Sequence, residues 1–135
     1  MLLIWSKKMV NNQEIRATLD RHWEFTGIDI DRSHEIYHND VIVEFPQSGE
    51  RVSGKHNIYE LRKHYPAKLG FKVVRTRGEG SLWVTEYIIT YDDGRPVNVV
   101  CIMEFRDDKI AHETLYFGDP FEPPEWRSQW VEKIE

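Results

Sequence analysis

The sequence predicts an α+β fold in which a strongly curved, mostly antiparallel sheet wraps around N-terminal helices and leaves a cone open at one end. Three observations predict it. Apolar residues recur at helical spacing in the first half of the chain, the period switches to two after residue 70, and the later runs are joined by short Gly- and Asp-rich links. Helices gathered on one face of a long twisted sheet leave a cavity between the layers.

From Asn12, residues Ile15, Leu19, His22, Trp23 and Thr26 share helical spacing, with Asn11 or Asn12 as N-cap and Gly27 as the stop. Asp29 or Asp31 caps a short second helix carrying Ile30, Ile36 or Tyr37 inward and broken at Asn39-Asp40. Val41–Phe45 reads as a first strand closed by Pro46. Asn57 followed by Glu60 has the form of a capping box, and Ile58, Leu61 and Tyr65 then share a face until Pro66. The four β runs are Phe71–Arg77, Leu82–Tyr91, Val97–Arg106 and Lys109–Phe117. Pro123-Pro124 opens a tail helix with Trp126, Trp130 and Ile134 at steps of four.

At 135 residues the chain fits one domain, read over residues 11–135, with residues 1–10 as an extension or a start belonging at Met9. The lone Cys101 excludes an internal disulfide framework and favours a cytoplasmic setting. Met1–Trp5 is too short for a signal peptide, and no segment approaches the roughly 18 apolar residues of a membrane span. Net charge is −5 and the basic residues are scattered, which argues against nucleic acid as a partner. Arg75 and Arg77 read as solvated charges on an exposed strand face.

Several strings resemble the nuclear transport factor 2-like superfamily, in its SnoaL-like and ketosteroid-isomerase-like branch. They are Tyr37–Pro46, Ser48-Gly49-Glu50-Arg51 with Gly54 and Ile58, Asp108-Lys109-Ile110, and Tyr116–Pro124 with Trp126, Arg127 and Trp130. The resemblance spans about Asn11 to Val131. It implies a cystatin-like cone, a small-molecule ligand, no organic cofactor and a homodimer through the convex sheet face. The isomerase acids it would carry fall on Phe45 and Cys101, and the epoxide-hydrolase acid falls on Leu115, so steroid isomerisation is not expected.

Glu113 is the acid expected to point into the cavity, because Glu113, Leu115 and Phe117 alternate inward; a shift of one residue would reverse the assignment. His22 lies in the apolar stripe of the first helix. Together they form the candidate catalytic pair, a histidine–carboxylate couple titrating near working pH. Trp23, Phe45, Trp83 and Tyr87 are expected in the ligand wall. So are Cys101, Met103, Phe105, Leu115 and Phe117. Cys101 as a nucleophile with His22 or His112 as base is the less favoured reading against a small core residue. Glu86 is read as solvent-facing. His34-Glu35-Ile36-Tyr37-His38 matches H-E-x-x-H, but the helix is short and no third ligand is evident. The leading expectation is a pocket protein for a small hydrophobic or aromatic molecule with proton-transfer chemistry. A non-catalytic ligand-binding or interaction module is the second reading, and a zinc hydrolase the remote third.

Overall fold

The structure is a computed structural model and describes residues 11–134; the expectations for the extension lie outside the described residues. Helix α1 (Asn12–Phe25) begins where the Asn11 side chain accepts from the Glu14 amide, and ends at Gly27, whose φ of +81° suits glycine. A Cβ there would meet the Phe71 ring at 2.8 Å, so this turn also sets how closely α1 approaches the sheet. Asp29 caps the single turn α2 (Ile30–Ser33), followed by a 3-10 turn over His34–Ile36.

Strand β1 (Tyr37–Phe45) starts four residues earlier than the sequence indicates, because Tyr37 pairs with Ile110 on the far side of the chain. Strand β2 (Glu50–Ser53), absent from the sequence reading, returns along β1 as a hairpin. Helix α3 (Lys55–Lys63) starts at Gly54 rather than at Asn57. The Asn57 amide instead donates to the Ser53 carbonyl, so the capping-box pattern is not a cap here.

The meander follows as β3 (Leu69–Glu79), β4 (Leu82–Tyr91), β5 (Val97–Arg106) and β6 (Lys109–Gly118). The six strands run in the order β2-β1-β6-β5-β4-β3, antiparallel except where β1 lies parallel to β6, and the sheet does not close. At Gly78 a Cβ would fall 2.7 Å from the Trp83 backbone and ring, so glycine is what lets that tryptophan turn inward. The tail is a 3-10 segment over Glu125–Trp130, not an α-helix, with Trp126 and Trp130 exposed.

The core lies between α1 and the concave sheet face. Ile15 and Leu19 meet Trp83, Val99, Met103 and Ile110, all at most 1% exposed. No helix among the described residues is long and apolar enough to cross a membrane.

Candidate functional site

The concave face is not filled. A cavity of about 980 Å³ opens between α1, α3 and the sheet, large enough for a drug-sized molecule. Trp23, Tyr87 and Phe71 form one aromatic wall, with ring centroids 4.9 and 5.8 Å apart along the series. Phe45 and Phe117 stack on the opposite side at 6.4 Å, and Leu115 lies between the walls and the inner end. The Trp23 indole is fixed by its N–H donating to Thr85 at 3.2 Å.

Polar groups converge at the inner end. Glu113, 1% exposed, accepts from the Tyr37 hydroxyl at 3.1 Å on both oxygens and from the Arg62 guanidinium at 3.1 Å. A second Arg62 nitrogen donates to the Tyr37 oxygen at 2.8 Å and to His34 Nε2 at 3.3 Å. Arg62 keeps a quarter of its side chain exposed to the cavity. Burial alone would lower its pKa; Tyr37 and Glu113 more than offset this and hold it above the ordinary value. Burial pushes the Tyr37 phenol upward, so it stays a donor.

The two histidines are neutral. Burial lowers His22 to about 4 against the opposing pull of Glu113, and burial with the Arg62 charge lowers His34 to about 3. Their tautomers follow from their partners. His22 Nδ1 lies 2.7 Å from the Ser33 carbonyl, which only accepts, so Nδ1 carries the proton and Nε2 is a lone pair. His34 Nδ1 likewise faces the Ile30 carbonyl at 3.0 Å, which leaves its Nε2 to accept from Arg62.

Of the residues singled out from the sequence, His22, Glu113, Trp23, Phe45, Tyr87, Leu115 and Phe117 line this cavity. Trp83, Met103, Phe105 and Cys101 do not; they belong to the closed core at 7% exposure or less. The reason is depth, since these four side chains belong to the closed core together with Ile15 and Leu19 of α1. Cys101 is 1% exposed, and burial and then Glu113 push its thiol well above the ordinary value, which opposes the thiolate a nucleophile needs.

Two further expectations change. His22 and Glu113 make no direct hydrogen bond, since each is already held by other groups, and His22 does not titrate near neutrality. The H-E-x-x-H string is not a helical pair: His34 ends a turn, His38 lies in β1 with its ring on the Arg106 carbonyl, and Glu35 pairs with Arg21 at the surface. His34 Nε2 faces a guanidinium, a poor neighbour for a metal cation.

Tyr37 and Arg62 were not singled out. The expected stripe Ile58, Leu61 and Tyr65 follows i, i+3 and i+7, but the inward pair is Ile58 and Arg62 at i and i+4. An arginine four residues after an isoleucine on a short amphipathic helix is the signal that could have found it.

Fold and site together define a cone-shaped α+β pocket protein with a buried Tyr–Arg–Glu cluster at its inner end. The chain belongs to the SnoaL-like domain family, whose model matches residues 14–113. A crystal structure of an NTF-2 like protein of unknown function from Burkholderia xenovorans is 52% identical, covering 93% of this chain and 98% of that one at a TM-score of 0.85. A Kribbella flavida protein provisionally named a ketosteroid isomerase shares 22% identity over 96% of this chain and 95% of that one, at 0.83. An LEH-like epoxide hydrolase of M. tuberculosis shares 19% identity over 78% and 83% of the two chains, at 0.66. These last two show the fold alone. Among curated proteins none matches this chain.

Proposed function

We propose that this chain binds a small hydrophobic or aromatic molecule in the cavity and catalyses a cofactor-independent proton transfer on it: isomerisation, cyclisation, dehydration or hydration. The observation that carries this reading is the inner end itself, where a neutral imidazole lone pair, a guanidinium and a buried carboxylate face an otherwise aromatic cavity. His22 Nε2 takes a proton from the ligand and returns it elsewhere on the same molecule. The field of Glu113 offsets part of the penalty that burial sets on the transient imidazolium. Arg62, held by Tyr37, His34 and Glu113, keeps N–H groups for a ligand oxygen that gains negative charge.

One observation favours a non-catalytic binder instead: both Glu113 oxygens are satisfied within the chain. The same experiment separates the two. Ligand-observed NMR with neutral aromatic ketones, phenols and lactones identifies binders, and exchange of their C–H protons in D2O reports turnover. His22→Asn is expected to cut exchange about 100-fold or more while affinity changes little. Tight binding with no exchange in the parent chain would establish the binder reading and remove the enzymatic one. A homodimer through the convex sheet face, where Val84, Val100, Ile102 and Tyr116 gather, and a cytoplasmic setting for the free Cys101 belong to the same proposal. Sedimentation at micromolar concentration checks the dimer.

A further inference from the structure

After Gly118 the chain leaves β6 at the cavity mouth, where Asp119 lines the rim and meets Arg95 at 3.6 Å. Residues 120–134 then make no side-chain hydrogen bond or ion pair with the rest of the described chain. Phe121, Trp126 and Trp130 are 78%, 74% and 72% exposed, and Val131 and Ile134 are exposed as well. An arm whose aromatic side chains are this exposed needs a partner surface.

We infer that this arm docks across the cavity mouth of a second copy of the chain. Two observations fit that occupant. The mouth is itself rimmed by apolar groups with exposed surface: Ile28 at 81%, and Leu61 and Tyr65 at about two-fifths, Tyr65 stacking its other face on Tyr91. Charge also matches: the rim carries Lys63, whose contact is the Tyr59 ring and not a carboxylate, and Lys68, held only loosely at 3.5 Å by exposed Asp93. The arm carries Glu122 and Glu125, neither with a partner among the described residues. The area suffices too. Three aromatic side chains bury about 150–250 Å² each, so two reciprocal arms supply about 900–1,500 Å² before the covered rims are counted. A stable interface needs roughly 1,200–2,000 Å² in all. Reciprocal arms exchanged within the same pair that meets through its convex sheet faces close the assembly at two copies. The inference concerns access to the cavity and does not depend on whether the cavity does chemistry.

The test uses two single-cysteine additions, Lys63→Cys and Ser128→Cys, both at exposed positions; the natural Cys101 is buried and inert to the reagent. The two variants are mixed, one of them tagged for mass, and treated with a short thiol-to-thiol crosslinker. A crosslinked species joining one tagged and one untagged chain is expected as the main product. If the Lys63→Cys/Ser128→Cys double variant links only within one chain, the arm covers its own mouth and the inference fails. It also fails if the mixture gives no crosslink. As a second measurement, alkylation of Cys at position 63 should be several-fold slower in the full chain than in a chain shortened to Gly118, and the protection should fade on dilution. Equal rates overturn the inference, and so does protection that ignores dilution.

Discussion

Glu113 on β6 and Glu86 on β4 each meet arginine, on opposite faces of one sheet. Outside, Glu86 is bridged by Arg75 and by Arg77 at 3.1 Å, with 30% of its side chain exposed and both arginines more than half exposed. Inside, Glu113 is 2% exposed and Arg62 25% exposed at the same 3.1 Å from it. The Arg75 hydrogen bond holds Glu86 below its ordinary value, yet water competes for every partner there. Within the cone Glu113 is shielded from bulk solvent, and the inner cluster is closed by a phenol and a neutral histidine that complete the valences of the pair. Identical residue types thus act as solvated decoration on one face and as a costly, organised site on the other.

Breaking the contrast is simplest at the arginines. Arg62→Ala should lower the unfolding free energy by about 3–5 kcal/mol in urea denaturation, because it strands a buried carboxylate. Arg75→Ala, on the outer face, should leave the urea midpoint within the scatter of repeats. Equal shifts would mean that the inner cluster is as well hydrated as the outer one. The boundary between closed core and open cavity can be sharpened next: Met103→Ala should cost about 2–5 kcal/mol. Phe45→Ala, whose ring already faces the cavity, should cost clearly less and weaken ligand binding instead.

Acid provides a third route. Above pH 6.5 His22 is neutral whether the chain is folded or not. Between 6.5 and about 4 only the unfolded chain takes up the proton, so stability falls with pH across that window and levels off below it. The loss is on the order of 3 kcal/mol for His22, and His34 adds to it in the same direction. Urea midpoints between pH 7 and 4.5 measure it, and His22→Gln should flatten the slope. A parent midpoint independent of pH in this range would show that the imidazoles are not desolvated.

How much of this could be read in advance depends on how local each feature is. The spans Leu82–Tyr91 and Val97–Arg106 coincide with β4 and β5 because period-two patterning and Asp- or Gly-rich turns are fixed within ten residues. The limits of α1 were legible for the same reason, from Asn11 and Gly27. The start of α3 was not, since Asn57 and Glu60 fit a cap that the backbone of Gly54 had already made unnecessary. The tail was misread because its four-residue spacing suggests a helix, but its tryptophans have no surface to pack against among the described residues.

The sequence by itself determined the α+β class and the meander, both of which rest on neighbours along the chain. Only the tertiary structure decided the site. The Tyr37 hydroxyl meets Glu113 across 76 residues through a parallel β1–β6 pairing, and Arg62 meets it across 51 from α3 packed on β1; no local pattern encodes either approach. Whether a buried acid has a partner is settled by the strand and helix that arrive opposite it, and that is a property of packing.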